Sequence, residues 1–169
     1  MTLSYKTTKL SAYELLTDTQ EREIFTAVIE LLTPEVVKHL PPYFSNITSI
    51  TKAKEWVKHM LSQSRLIIIK QTNTDRIIGF VFLSKEDETT LHIGYLLGTS
   101  YWGKGYATEL LKGLIDFLTY ENRIKRLIAG VSISNIESCK LLKKLNFIKS
   151  DSDDNETLFY EYQLQKNSK

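Results

Sequence analysis

A short loop near the middle of the chain carries the residues best suited to bind phosphate. Gly103 and Gly105 lack a Cβ atom, so the backbone there can turn tightly and approach a ligand closely. The helical pattern that follows leaves the N–H groups of its first turn free, at the positive end of the helix dipole. Lys104 adds a positive charge at the same place. The loop therefore predicts a site for a phosphate-bearing ligand.

Gly-x-Gly before a helix is also a common tight turn, so the surrounding residues must decide between the two interpretations. A Walker A loop needs its Lys to be followed by Ser or Thr, whereas Lys104 is followed by Gly105. A dinucleotide-binding turn needs three glycines and an acidic residue about 20 positions further on. Neither of these two nucleotide-binding patterns is present.

Two apolar segments must hold this loop in position. Residues 90–97 form an apolar strand that leads into it. The helix that follows extends to about Thr119 and has one apolar face, formed by Ala107, Leu110, Leu111, Leu114, Ile115 and Leu118. The loop is therefore expected to lie between two buried elements.

The remaining elements follow from local patterns. Two apolar runs predict an antiparallel hairpin, and the helices of the first third have caps at Asp18 or Thr19 and at Thr51. A strand follows the long helix, and Ser134 begins a capping box for the last helix. The predicted order is one strand, two or three helices, three strands, a helix, a strand, a helix and two strands.

Composition describes a single globular domain, residues 1–169, with 42% hydrophobic and 25% charged residues. The net charge of +2 gives no overall field that would attract nucleic acid or a membrane surface. Cys139 is the only cysteine, and we find no signal-peptide core or membrane-length apolar run. His39 and His59 have no partners at metal-ligand spacing. We expect a cytoplasmic protein with no metal site.

The phosphate loop resembles the acetyl-CoA loop of the GNAT superfamily of N-acetyltransferases, whose pattern is Gln/Arg-x-x-Gly-x-Gly/Ala. Trp102 stands in the Gln/Arg position, a departure typical of the branch that contains the ribosomal-protein N-terminal acetyltransferases. Residues 135–147 are similar to the Asn-x-x-Ser…Leu-Gly-Phe helix of the family, with Asn146 in place of Gly. The resemblance implies the GNAT fold, an α/β fold with a mixed, mostly antiparallel sheet of six to seven strands flanked by helices on both faces.

The resemblance also implies acetyl-CoA as the cosubstrate. Backbone amides of residues 103–108 would receive its pyrophosphate, and the exposed edge of Leu96 and Leu97 would pair with its pantetheine arm. Asn135 would contact the cofactor or the incoming amine, and an N-cap role is an equal interpretation of this residue. The complete set expected to bind the cofactor is Leu96, Leu97, Trp102, Gly103, Lys104, Gly105, Tyr106, Ala107, Thr108, Asn135 and Ser138.

His92 is the candidate catalytic base. Many relatives carry Glu two residues before the Gly-Tyr of this strand, where the present chain has His92. Neutral imidazole, with an ordinary pKa of about 6.5, can accept the proton of an ammonium group, and a structural role is the alternative. Members with a Tyr general acid carry it where this chain has Leu142, so that acid is absent from its usual place. Cys139 is expected to be packed and inert, without an acyl-enzyme.

The leading functional hypothesis is an N-acetyltransferase that moves the acetyl group of acetyl-CoA directly to a primary amine, such as a protein N-terminus. One alternative keeps the enzyme class but takes a small amine, namely an aminoglycoside, a polyamine or an amino acid. Another is a degenerate domain that binds acyl-CoA as a sensor or scaffold, because the usual Glu and Tyr are both missing. By resemblance, residues 33–63 form the acceptor wall. A monomer and a homodimer are both compatible with the sequence.

Overall fold

The computed structural model describes residues 2–17, 21–151 and 155–165. The strands are β1 (Ser4–Lys6), β2 (Leu10–Leu15), β3 (Arg65–Gln71), β4 (Ile77–Lys85), β5 (Thr90–Leu97), β6 (Arg126–Ser132), β7 (Ile148–Lys149) and β8 (Thr157–Gln163). The helices are α1 (Arg22–Leu31), α2 (Pro34–Val37), α3 (Ile50–Gln63), α4 (Tyr106–Glu121) and α5 (Ile136–Lys144). Short 3-10 turns lie at Pro42–Phe44 and Thr99–Tyr101.

All eight strands belong to one sheet, in the order β1-β2-β3-β4-β5-β6-β8-β7. Every neighbouring pair is antiparallel except β5 and β6, which run parallel. The mixed, mostly antiparallel sheet is confirmed. It has one strand more than the predicted six to seven, because the segment expected to be one N-terminal strand is a hairpin closed by a 2.8 Å hydrogen bond from Thr7 N–H to Leu10 O.

Alternation of side chains along the strands divides the core between the two faces of the sheet. On the α4–α5 face, Leu91, Ile93 and Leu97 of β5 pack against the leucines of α4. On the α1–α3 face, Leu96 packs with apolar side chains of the first three helices, including Trp56. Each fully buried apolar side chain contributes roughly 2 kcal/mol, so both layers hold β5 firmly between them.

Strands β5 and β6 pair over only part of their length. Parallel pairing joins Thr90–Ile93 to Arg126–Ala129, whereas β5 continues to Leu97 and β6 continues to Ser132. Residues 94–97 of β5 and 130–132 of β6 therefore have no pairing with each other, and we call the gap between them the strand opening. The opening lies directly before the loop that contains Gly103 and Gly105.

Several predicted helix caps differ from those in the structure. Asp18 and Thr19 lie outside the described residues, and α1 begins after Glu21 without a side-chain cap. The cap of α3 is Ser49, two residues before the predicted Thr51, and its side chain accepts from Lys52 N–H.

The prediction of a capping box at Ser134 is wrong. Asn135 caps α5, and its Oδ1 accepts the Ser138 N–H at 3.3 Å. The end of α5 follows the prediction, since Asn146 has a positive φ of 67°. No helix within residues 2–17, 21–151 and 155–165 is long and apolar enough to cross a membrane.

Candidate cosubstrate and amine site

The loop before α4 has the geometry of an anion cradle. Gly103 and Gly105 have φ values of 65° and 82°, in the left-handed region that favours glycine. Gly105 is the N-cap of α4 and provides no side-chain cap, and the Glu109 N–H donates to its carbonyl at 3.1 Å. The N–H groups of residues 106–108 precede the first full turn and have no intrahelical acceptor. They are therefore available to phosphate oxygens, which the helix dipole also favours.

Two lysines lie at this cradle, and only one was expected. Lys104 Nζ donates to Ser100 O at 2.7 Å. Lys9, in the β1–β2 turn, donates from Nζ to Lys104 O at 2.6 Å and lies 3.3 Å from the position that a Cβ of Gly105 would occupy. No local sequence signal indicates Lys9, because it reaches the loop across a separation of 95 residues.

Glu109 positions this second lysine. Its Oε1 accepts the Lys9 N–H at 2.8 Å, which fixes the β1–β2 turn against the first turns of α4. Desolvation acts to raise the pKa of Glu109, but hydrogen bonds from Thr7 and from the Lys9 backbone, with the Lys9 charge, hold it below the ordinary value. The group is thus an anion at neutral pH, and its hydrogen bond keeps Lys9 beside the loop.

The backbone of β5 exposes different residues from those predicted. Gly98 N–H donates to Ile78 O at 3.0 Å, and alternate residues of an antiparallel strand direct their polar groups to the same neighbour. Leu96 therefore directs its backbone N–H and C=O toward β4. This corrects the expectation that the backbone of Leu96 is exposed at the strand edge and pairs with the pantetheine arm. Tyr95 and Leu97 direct theirs to the strand opening. Sequence reasoning missed Tyr95, although strand alternation applied from Gly98 would have indicated it.

Trp102 anchors the loop to β5. Its indole Nε1–H donates to Leu97 O at 2.8 Å, and 45% of the residue remains exposed. This bond occupies the Leu97 carbonyl and leaves the N–H groups of Tyr95 and Leu97 and the Tyr95 carbonyl facing the opening. The loop and the strand edge are thereby held as one unit.

Helix α5 approaches the opening from the α4–α5 face. The Tyr95 hydroxyl donates to Ser138 Oγ at 3.2 Å, and burial raises the pKa of Tyr95 despite this bond. Asn135 serves as the N-cap, one of its two expected roles. Cys139 is a free thiol on the buried side of α5. The structure thus brings Ser138 to β5 and leaves Cys139 in the core.

His92 lies on the α1–α3 face, beside the last paired residues of β5 and β6. Its Nε2 is 3.1 Å from Glu86 Oε2, which is in turn 3.9 Å from an Arg126 nitrogen. The side chain is 39% exposed, so water can reach the ring. A carboxylate that fixes one imidazole nitrogen leaves the other free to accept a proton.

Two clefts lie outside this constellation. A cleft of about 350 Å³ on the α1–α3 side is lined in part by Tyr43, Trp56 and His59, within the segment expected to form the acceptor wall. Another, of about 760 Å³, lies near β7 and the end of α4. Within the described ranges, no group of three or more His, Cys, Asp or Glu side chains could hold a metal ion.

Comparison with known proteins identifies the fold and the enzyme class. Residues 16–148 match the acetyltransferase (GNAT) domain family. The chain belongs to the GNAT family. The chain is also 32% identical over 126 residues to the uncharacterized N-acetyltransferase p20 of Bacillus licheniformis, which covers 69% of this chain and 68% of that protein. Membership of this family confirms the predicted enzyme class, an acetyl-CoA-dependent N-acetyltransferase.

Solved structures show the same GNAT fold at low sequence identity. The ribosomal-protein alpha-N-acetyltransferase RimL, solved with coenzyme A, superposes with a TM-score of 0.75 at 15% identity, over 94% of this chain and 96% of that one. The spermidine N-acetyltransferase of Vibrio cholerae, solved with CoA and spermine, gives a TM-score of 0.72 at 15% identity, over 95% and 98% of the two chains. Enzymes for two kinds of amine therefore share this architecture.

Proposed function

We propose that this GNAT domain transfers the acetyl group of acetyl-CoA to the α-amino group of a protein or peptide N-terminus. The observation that supports binding of acetyl-CoA is the cradle at residues 103–108. Two glycines in the left-handed conformation, a helix N-terminus without a side-chain cap and two lysines coincide there. The acceptor is supported by the resemblance of this loop to that of the ribosomal-protein N-terminal acetyltransferases.

Each part of the cosubstrate has residues suited to it. The free N–H groups of residues 106–108 would hold the pyrophosphate, with Lys9 and Lys104 supplying positive charge. The unpaired backbone groups of Tyr95 and Leu97 would hydrogen-bond the amide groups of the pantetheine arm as a neighbouring strand would. Ser138 and Asn135 border the same opening from α5. Acetyl-CoA supplies an activated thioester, and the chain supplies position and proton transfer.

The transfer itself needs a neutral amine and a way to remove its proton. The amine nitrogen forms a bond to the acetyl carbon, the carbon–sulfur bond breaks, and CoA leaves with the electron pair. His92, oriented by Glu86, would accept the ammonium proton directly or through water. The exposed part of the His92 ring would then release that proton to solvent. The second proton, which the nitrogen loses as the amide forms, would also pass to solvent, and solvent would protonate the CoA thiolate.

A small amine is the second candidate acceptor. The likeness to a spermidine N-acetyltransferase is nearly as close as the likeness to RimL, so the fold does not separate the two classes of acceptor. The protein N-terminus is preferred because the loop departs from the general GNAT pattern at Trp102, as that branch does.

Release of free thiol from acetyl-CoA tests the proposal directly. The purified chain is assayed with peptides that begin with Ala or Ser, with the same peptides blocked at the N-terminus, and with spermidine, an aminoglycoside and free amino acids. We expect thiol release with unblocked peptides and none with blocked ones. Turnover on the small amines alone would favour the second candidate. Binding of CoA without turnover on any amine would favour a sensor or scaffold.

A further inference from the structure

His39 is linked to the β6 side of the strand opening. It lies two residues after α2, whose Val36 and Val37 belong to the core that includes Leu96 of β5. Its Nδ1 is 2.9 Å from Ser134 Oγ, in the segment that follows β6. The imidazole therefore connects the segment after α2 to the segment after β6. Helix α4 and its phosphate cradle lie on the opposite face.

A chain of hydroxyl groups fixes the orientation of this ring. Ser134 Oγ is 2.9 Å from Ser132 Oγ, and Ser132 Oγ also accepts the Ser134 N–H at 3.4 Å. In one of the arrangements that these distances allow, the Ser132 hydroxyl donates to Ser134 and the Ser134 hydroxyl donates to His39 Nδ1. A neutral imidazole that accepts at Nδ1 carries its proton on Nε2. No bond from His39 Nε2 to any residue in the described part of the chain is observed, so this nitrogen offers a free donor.

We propose that His39 binds the acceptor by donating a hydrogen bond from Nε2 to the carbonyl oxygen next to the reactive amine. This inference rests on the proposed function and defines its substrate class, an α-amino group followed by an amide, as at a peptide N-terminus. An extended polyamine carries mainly ammonium groups at neutral pH, and these would place donors against a donor. His39 thereby selects peptides, while His92 remains the base.

The half-buried position of His39 supports binding rather than proton transfer to bulk water. The rings of Phe44 and Phe82 pack with centroids 5.4 Å apart on the same face, and Phe82 lies 3.6 Å from the Cβ position of Gly94. An amine that reaches the opening from this face passes between an aromatic wall and the His39–Ser134 pair. A hydrogen bond made in such a partly dry place discriminates strongly between acceptors with and without the matching group.

Substitutions that imitate one imidazole nitrogen at a time test this role. His39→Gln keeps an N–H near the position of Nε2, His39→Asn keeps one near Nδ1, and His39→Phe keeps only the ring. With an Ala-starting peptide, we expect His39→Phe and His39→Asn to raise KM by about tenfold, the scale of one lost hydrogen bond, with kcat little changed. His39→Gln should recover most of the loss, and isopropylamine, which lacks the carbonyl, should show no dependence on residue 39.

The controls separate this inference from the proposed function. Tyr120→Ala removes an exposed ring at the far end of α4 and should leave the KM for the peptide unchanged. Melting temperatures and CoA affinity verify that each variant is folded. Ser134→Ala should raise the peptide KM in the same direction as His39→Phe. If unblocked peptides are acetylated but no His39 variant changes their KM, the role of His39 is wrong while the function stands. If wild-type protein acetylates no peptide, the proposed function is wrong. Loss of the acid limb of the pH profile in His39→Phe would overturn the assignment by making His39 the base.

Discussion

At the scale of single residues, the neighbours of each histidine define what it can do. Glu86 holds one nitrogen of His92, and the half-exposed ring has access to water. Ser134 holds one nitrogen of His39 beside the end of β6. The strand position of His92 was readable from its place two residues before Gly94. The sequence did not indicate the partners of either histidine. Ser134 lies 95 residues from His39, and Glu86 lies in a turn whose geometry the sequence leaves open.

Replacement of His92 tests the base. We expect His92→Ala to lower kcat/KM by about a hundredfold or more, as the loss of general-base catalysis does, and to abolish the fall in rate at acid pH. His92→Glu should restore part of the activity and move that fall to lower pH, because carboxyl groups ordinarily titrate below imidazoles. Steady-state rates at limiting amine across a pH series provide the measurement, with Tyr120→Ala at the exposed end of α4 as the control. Nearly full kcat/KM and an unchanged pH profile in His92→Ala would reduce His92 to a structural role.

Cys139 is expected to be dispensable for chemistry. Its side chain lies on the buried side of α5 rather than toward the opening, and direct transfer needs no acyl-enzyme. Cys139→Ala should therefore keep most of the turnover, with a small loss of stability from the missing sulfur. Steady-state assays and thermal melts of the same preparation measure the two effects separately. A fall in kcat of more than about a hundredfold in a folded variant would make Cys139 a catalytic group.

At the scale of elements, local patterns located β5 and α4 well and failed at the N-terminal hairpin. The bounds of β5 agree with the predicted residues 90–97, because apolar alternation and the glycine loop mark both ends. The two N-terminal strands are short and are stabilised by distant partners. Glu14 of β2 illustrates this, since it accepts Arg65 Nε and Nη2 at 2.7 and 2.6 Å and Leu3 N–H at 2.8 Å. Only the folded sheet brings these groups together.

The Glu14 contacts predict how the stability of the hairpin depends on pH. Desolvation acts to raise the pKa of Glu14, but hydrogen bonds from Arg65 and Leu3, with the Arg65 charge, hold it below its ordinary value. A lowered pKa in the folded state means that this stabilisation is present above the unfolded pKa, about 4.3, and is lost as pH falls through the folded pKa. Glu14→Gln should lower the free energy of unfolding at pH 7 by about 2 kcal/mol and weaken its acid dependence.

Urea unfolding at several pH values measures this effect. The control is Glu137→Gln, because Glu137 pairs with Lys140 at an exposed site where an ion pair contributes little. Equal losses of stability in the two variants at pH 7, or a wild-type acid dependence in Glu14→Gln, would show that the Glu14 contacts do not stabilise the hairpin.

At the scale of the whole molecule, the fold brings the residues of the proposed site together from segments that are far apart in sequence. The β1–β2 turn supplies Lys9, the middle of the chain supplies the cradle, α5 supplies Asn135 and Ser138, and the segment after α2 supplies His39. The cradle and α5 were predictable because each is a contiguous block that resembles a GNAT motif. The sequence did not indicate the strand opening or the positions of Lys9 and His39, because each depends on pairing or packing between distant elements.

We expect acetyl-CoA to bind with its pyrophosphate on residues 103–108. Gly105→Glu introduces a carboxylate into the cradle and so repels the phosphates. A side chain at a φ of 82° also adds about 1 kcal/mol of backbone strain, so thermal melting must show that the variant is folded. Tyr120→Glu adds the same charge at the far, exposed end of α4 and is the matched control.

Calorimetric titration of acetyl-CoA into wild type and both variants measures this binding. We predict that wild type and Tyr120→Glu bind with similar Kd values, and that folded Gly105→Glu shows no measurable binding. An unchanged Kd in Gly105→Glu would contradict the assignment of the cradle and, with it, the acetyl-CoA site.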